Sequence, residues 1–236
     1  MDAGSVDRFR TEGFLVIPQL ADEAAVAEIA SVYDAMLTGE IDVSATDNPL
    51  GRITRQIMMP SAYHGIFKDN PALNSARELS KGLLGTDDPK PVFDMLIYKE
   101  PGQTAETPWH QDFAYSQMPF AEAGLAIPSD QVVQFWLTLD DVDEENGCMH
   151  FVPGAHRQPL LQHYIAGGEA HYSQRLLAIR DPEEALDLDY AVSCPLKKGG
   201  ATVHNYGTPH YTTGNRTTDR ERRAYIFNFA SPNFRK

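Results

Sequence analysis

From residue 13 the chain reads GFLVIPQL, a short apolar segment of strand type closed by a proline. Ala21-Asp22-Glu23 then opens a run to Leu37 in which Ala25, Ile29, Val32 and Met36 recur at helical spacing, and Gly39 supplies a stop. The polar stretch over 40–60 reads as a loop, and a second helix is expected from about 70 to 84, ended by Gly85. After residue 90 the periodicity changes. VFDMLIYKE, TPWHQDFAY, QVVQFWLTLDDV, MHFVPG, GGATVHNY and RRAYIFNFAS are short segments of β-formers separated by Gly, Pro, Asp and Asn. One further helix is expected at about 169–178, inside a long insertion over 157–195. Many short strands with few helices between them predict a sandwich or jelly-roll barrel, mainly β with flanking helices. The expected organisation is one domain over 1–236, with helical support over about 1–90 and a strand-rich core over about 91–236.

Composition narrows this picture. A chain of 236 residues that is 42% hydrophobic can bury a sizeable core. Its two cysteines, Cys148 and Cys194, form no CxxC pair and suit a reducing compartment. The opening MDAGSVDRFR lacks the pattern of a secretory signal, and no apolar run is long enough to span a membrane, so a cytoplasmic location is expected. The formal charge of −13 repels phosphate backbones. Neither a nucleic-acid nor a membrane partner is expected, which leaves a small molecule. No pattern in the chain encodes an oligomeric state.

The chemistry begins at TPWHQDFAY, residues 107–115. In a strand, residues i and i+2 face one side, so His110 and Asp112 point together while Trp109, Gln111 and Phe113 point away. An imidazole and a carboxylate on one face make two thirds of the facial triad that holds non-haem Fe(II) with open coordination positions. A second histidine from a distant strand is needed. His64, His150, His156, His163, His171, His204 and His210 compete for the role. His210 is distinguished by the arginines that follow it, Arg216, Arg220, Arg222 and Arg223. Iron enzymes that use 2-oxoglutarate need a buried cation for its far carboxylate, and a planar guanidinium binds a carboxylate bidentately. In RRAYIFNFA one face carries Arg222, Ala224, Ile226, Asn228 and Ala230, and the other carries Arg223, Tyr225, Phe227 and Phe229. The bulky face suits packing under the N-terminal helices. The smaller face suits a barrel interior with a ligand in it, which makes Arg222 the expected clamp.

At this point the sequence resembles the phytanoyl-CoA dioxygenase (PhyH) family of Fe(II)/2-oxoglutarate-dependent oxygenases. The resemblance runs over nearly the whole chain: GFLVIPQLADEAAVAEI, LIYKEPG, WHQD, WLTLDDVDEENGCMHFVPGAHR and GGATVHNYGTPHYTTGNRTTDRERRA occur in the family's order. It implies a double-stranded β-helix core of cupin-like, jelly-roll type with the N-terminal helices packed on one sheet. It implies Fe(II), 2-oxoglutarate as cosubstrate, and O2. The ligands carry over to His110, Asp112 and His210, and the cosubstrate arginine to Arg222. The hydroxyl two residues after the distal histidine becomes Thr212, the strand tryptophan Trp136, and the lysine before the Pro-Gly turn Lys99. Gln111 occupies the middle of HxD. The family's HGS is here His210-Tyr211-Thr212, and its GD is Gly199-Gly200. For the substrate, Phe113, Tyr115, Met118 and Phe120 form an apolar lid or ordinary core. Gln134 and Asn228 face the barrel, and Arg52 and Arg55 meet an anionic group or solvent. The competing readings are a jelly-roll binding protein without catalysis and a cupin-type metal enzyme that does not use 2-oxoglutarate.

Overall fold

The helices form where capping and periodicity agree. A helix α1, Ala3–Glu12, leads into strand β1, Phe14–Ile17. In α2, Glu23–Thr38, the Asp22 side chain accepts the Ala25 N–H at the start, and Gly39 closes the end at φ +82°. The short strands β2, Asp47–Pro49, and β3, Arg55–Met58, precede α3, Pro71–Leu84, which Asn70 caps through the Leu73 N–H. There follow β4 (Lys90–Lys99), β5 (Thr107–His110), the short α4 (Phe113–Ser116), β6 (Val132–Thr138), β7 (Met149–Phe151), β8 (His163–Ala166) and β9 (Leu176–Ile179). The chain closes with α5 (Pro182–Ala185), β10 (Val192–Cys194), β11 (Ala201–Asn205), β12 (His210–Thr212) and β13 (Arg222–Ala230). This computed structural model describes residues 3–49, 53–116, 123–125, 131–166 and 176–234.

Two antiparallel sheets make the double-stranded β-helix. The larger runs β1-β11-β6-β13-β4-β3-β2 and the smaller β10-β7-β12-β5. Its neighbours in space are far apart in sequence, as closing a jelly roll requires. Strand β13 lies at the centre of the large sheet between β6 and β4, and its two faces divide the core. Tyr225, Phe227 and Phe229 join Phe135 and Leu137 of β6 against Ile29, Tyr33 and Met36 of α2 and Leu73, Ala76 and Leu83 of α3. Ala224 and Ile226 turn inward and pack with Trp136, Met149, Phe151 and both cysteines between the sheets. The alternation read from RRAYIFNFA is thus the alternation of the fold.

Three expectations are corrected. The stretch 40–60 contains the hairpin β2–β3, which extends the large sheet through β4. It is held by an Arg55–Asp47 ion pair at 2.8 Å, and Ile57 is the one buried residue of its two strands, so it carries no periodic apolar signal. Most of the helix expected at 169–178 lies outside the described residues, but its end is strand. Leu176, Leu177, Ala178 and Ile179 are all buried, and they pair with β8. An apolar run of four reads equally as either element from sequence. Finally, TPWHQDFAY is not one strand. Strand β5 ends at His110, and the chain turns into α4, with Gln111 and Asp112 carbonyls accepting the Ala114 and Tyr115 N–H groups.

Candidate metal centre

Strands β5 and β12 are neighbours in the small sheet, and their register places His210 directly opposite His110. The two imidazoles lie with centroids 4.1 Å apart. Each is oriented by a carbonyl two residues earlier. His110 Nδ1–H donates to Pro108 O at 2.8 Å, and His210 Nδ1–H donates to Thr208 O at 2.9 Å. A carbonyl only accepts, so the hydrogen sits on Nδ1 and the Nε2 lone pairs point into the site. The turn after β5 brings Asp112 to the same place. Its Oδ1 is 3.7 Å from each of the two Nε2 atoms, a spacing that one ion bound at about 2 Å from each donor can bridge. Among the described residues these three form the one such cluster of potential metal ligands.

Protonation states favour a cation. Burial pushes both imidazoles down from their ordinary value, so each offers a neutral lone pair. Burial acts to raise the Asp112 carboxyl, but His210, the His204 hydrogen bond and His110 outweigh it and hold the group below the usual carboxylate range. Two neutral nitrogens and one carboxylate oxygen match the donor set of a non-haem iron site.

Two basic side chains share the same barrel interior. Lys99 and Arg222 are register partners on β4 and β13, and both are essentially inaccessible, at 0% and 1% exposed. Lys99 Nζ donates to Ala105 O, Thr212 Oγ1 and Thr213 O. Burial, then repulsion from Arg222, depresses its pKa. Burial lowers Arg222 to about 10, which leaves it charged at neutral pH. Its guanidinium lies 5.5 Å over Trp136, while Nε and Nη1 have no hydrogen-bond partner. A buried, charged and unpartnered fork is costly unless a ligand completes it, and a carboxylate is its geometric complement. Gly147, at φ +101°, makes room for it. A Cβ there would meet Thr213 O at 2.9 Å and Arg222 Nε at 3.4 Å. The remaining arginines of the cluster are committed elsewhere: Arg220 to Asp143 and Glu145, Arg223 to Asp140 and Asp34, and Arg216 to Glu106.

The other residues singled out from sequence divide by location. Gln111 is fully buried and uses its amide on the main chain, donating to Gly207 O and accepting from Leu161 N–H. Phe113 packs with Leu160, Leu177 and Tyr206 under the insertion. Tyr115 stands edge-on to His110 and accepts the Leu177 N–H. Gln134 and Asn228 are paired across β6 and β13, both buried, and Asn228 Oδ1 has no partner. Arg55 is taken by Asp47. Met118, Phe120, Arg52 and His171 lie outside the described residues. Two further histidines lie beside this cluster. His204 on β11 sits 3.1 Å from Asp112 Oδ2. His163 on β8 accepts the Gln111 N–H at 3.1 Å, tying the insertion to the metal turn.

Comparison with known proteins gives one consistent family. A family model described as Phytanoyl-CoA dioxygenase (PhyH) matches residues 9–224. A phytanoyl-CoA dioxygenase domain-containing protein 1 from Danio rerio is 29% identical over 168 residues, covering 70% of this chain and 53% of that protein. The peroxisomal phytanoyl-CoA dioxygenase of Homo sapiens is 31% identical over 140 residues, covering 58% of this chain and 38% of that protein. The chain spans about half the length of the first of these curated relatives. Among solved structures, EvdO2 from Micromonospora carbonacea var. aurantiaca complexed with 2-oxoglutarate superposes with a TM-score of 0.78 at 31% identity, covering 98% of this chain and 91% of that one. The epimerase SnoN in complex with Fe3+, alpha ketoglutarate and nogalamycin RO shares the fold, with a TM-score of 0.70 at 22% identity over 98% of this chain and 85% of that one.

Proposed function

The chain belongs to the phytanoyl-CoA dioxygenase (PhyH) family, and from that premise we propose that it is a non-haem Fe(II)/2-oxoglutarate-dependent dioxygenase that hydroxylates, or otherwise oxidises, an unactivated C–H of a small or medium-sized metabolite. One observation carries this reading. A two-histidine, one-carboxylate cluster and a buried guanidinium without a partner occupy the interior of one barrel. The first fits iron and the second fits a dicarboxylate.

His110, Asp112 and His210 would hold the iron through Nε2, one carboxylate oxygen and Nε2. Arg222 would grip the far carboxylate of 2-oxoglutarate, with the Lys99 amine and the Thr212 hydroxyl beside it. Trp136 forms the apolar wall under the guanidinium. When bound, iron with 2-oxoglutarate and O2 supplies the oxidative decarboxylation to succinate and CO2 and an oxidant strong enough for a C–H bond. The protein supplies orientation, charge and exclusion of water. Gln134, Asn228 and Tyr115 lie near enough to the metal strands to meet a substrate, and the insertion over 157–195 would complete its entrance. The two buried free cysteines fit a reducing cytoplasm. No helix among the described residues is long and apolar enough to cross a membrane. A cupin-type enzyme without 2-oxoglutarate leaves the unpaired Arg222 without purpose, and a non-catalytic binding protein leaves the intact metal cluster without one.

The test is an anaerobic titration with Fe(II) and then 2-oxoglutarate, followed by succinate release on admitting O2. A visible charge-transfer band that requires both additions, with succinate formed, supports the reading. Iron binding with no response to 2-oxoglutarate would move the protein to the cupin type.

A further inference from the structure

The carboxylate of Asp112 is divided between two neighbours. Oδ1 faces the two ligand imidazoles, and Oδ2 lies 3.1 Å from His204 Nε2. An ionised carboxylate only accepts, so His204 carries its hydrogen on Nε2 and donates it to Oδ2. Its Nδ1 has no partner, and the residue is 0% exposed. The ring is held by packing instead. It lies against Phe151 and His210, with centroids at 5.3 and 4.4 Å. Its strand is paired with Phe14 on one side and Gln134 on the other, and the Gln134 side-chain amide lies 3.3 Å from the same Nε2, where its oxygen, not its nitrogen, must face a ring nitrogen that carries hydrogen. The donor is rigid, and the acceptor sits on a turn outside the sheet.

We propose that His204 is a positioning residue that keeps Asp112 a one-oxygen ligand. A carboxylate can bind a metal through one or both oxygens. With Oδ2 held by His204, only Oδ1 is free for the ion. Without that hydrogen bond, Oδ2 can turn onto the metal and take a coordination position that 2-oxoglutarate, which needs two, has to find open. His204 acts on the iron only through Asp112. The inference rests on the reading of His110, Asp112 and His210 as the iron ligands.

The experiment compares wild type with His204→Phe and His204→Gln by anaerobic Fe(II) titration, then 2-oxoglutarate titration followed by the visible charge-transfer band. Glutamine places its amide nitrogen about where Nε2 sits, so it restores the donor without the ring. The Phe variant at saturating iron is expected to bind 2-oxoglutarate about 10-fold or more weakly, with a shifted band, in the range seen when an outer partner of a metal ligand is lost. The Gln variant is expected to recover to within about threefold. If His204→Phe does not fold, His204→Asn replaces it under the same expectation, since its amide stops near the Nδ1 position and falls short of Oδ2. Unchanged 2-oxoglutarate affinity and an unshifted band in the Phe or Asn variant overturn the proposal, as does a Gln variant no better than they are. A wild-type chain that binds no iron overturns the reading of the site itself, and this inference with it.

Discussion

Replacing Arg222 by Met tests the cosubstrate half of the site. Met keeps the unbranched stem that packs over Trp136 and removes the charge and the fork. A hydrogen bond to a charged group contributes about 1.5–3 kcal/mol, and tenfold in affinity is about 1.4 kcal/mol. The variant should therefore bind 2-oxoglutarate roughly 10- to 100-fold more weakly at saturating Fe(II). Lys99, still beside the site, keeps the loss from being total. Stability separates this from misfolding. In the free protein the guanidinium has no carboxylate partner and two unpaired nitrogens, so removing it should leave the ligand-free melting temperature no lower than wild type. At 100 times the wild-type Kd, 2-oxoglutarate should stabilise the wild type by about 2.7 kcal/mol, and the variant by about 0.4–1.4 kcal/mol. For a chain of 236 residues, 2.7 kcal/mol corresponds to roughly 5–10 °C in Tm. Anaerobic calorimetry with Fe(II), with and without 2-oxoglutarate, reads both quantities. An undiminished thermal shift with an unchanged Kd would refute the argument from the orphaned fork. Since Arg223 is bound by Asp140 and Asp34, Lys99 would then be the remaining clamp.

Asp112→Ala should remove bound iron, measured by metal analysis after desalting, and with it succinate formation; iron retained at wild-type stoichiometry would take Asp112 out of the ligand set. Gly147→Ala should lower stability by about 1–3 kcal/mol in urea melts, because a side chain at φ +101° is strained and its Cβ meets Thr213 O. It should weaken 2-oxoglutarate binding as well by displacing Arg222, and a variant as stable as wild type refutes the close approach. Gln111→Leu leaves Gly207 O and Leu161 N–H without their partners. It should cost about 1–3 kcal/mol for each buried group left unpaired, read by chemical denaturation. Lys99 has a folded pKa depressed below its ordinary 10.5, so the unfolded chain binds its proton more readily and this residue makes stability rise with pH between the two values. Lys99→Met should flatten that alkaline rise relative to wild type, and identical pH profiles would contradict a depressed amine.

How much was legible in the sequence follows from how local each signal is. The caps Asp22, Gly39, Asn70 and Gly85 act within a few residues, and α2 and α3 lie where their periodicity places them. The two-faced pattern of β13 also survives, because alternation is set by the backbone of one strand. The hairpin β2–β3 was invisible for the opposite reason: its stability comes from pairing with β4 and from one ion pair, and its own residues are mostly polar. The end of β5 at His110 was hidden as well. What stops the strand is a set of partners supplied from elsewhere, His163 for the Gln111 N–H and Gly207 and Leu161 for its side chain. His110 and Asp112 converge all the same, by a turn where alternation had predicted a strand. His204 could be read only as one histidine among several, since its role depends on β11 lying where the Asp112 turn ends.

That dependence shows what the barrel contributes to the site. His110 and His210 are fixed by register between β5 and β12, and Lys99 and Arg222 by register between β4 and β13. Each pair is therefore set by a ladder of backbone hydrogen bonds, which resists displacement better than a loop does. Asp112 alone among the five sits on a turn, with its side chain 12% exposed. It is also the one with a dedicated rigid donor, His204, from a third strand. The histidines need no such help, because a carbonyl two residues back in their own segments aims each ring. A carboxylate on a turn needs an anchor from outside its segment, and the large sheet provides it. The helices then matter to chemistry without touching it. Tyr225, Phe227 and Phe229 lock the outer face of β13 onto α2 and α3, and that packing fixes the strand whose inner face carries Arg222, with Nε and Nη1 of its guanidinium unpartnered.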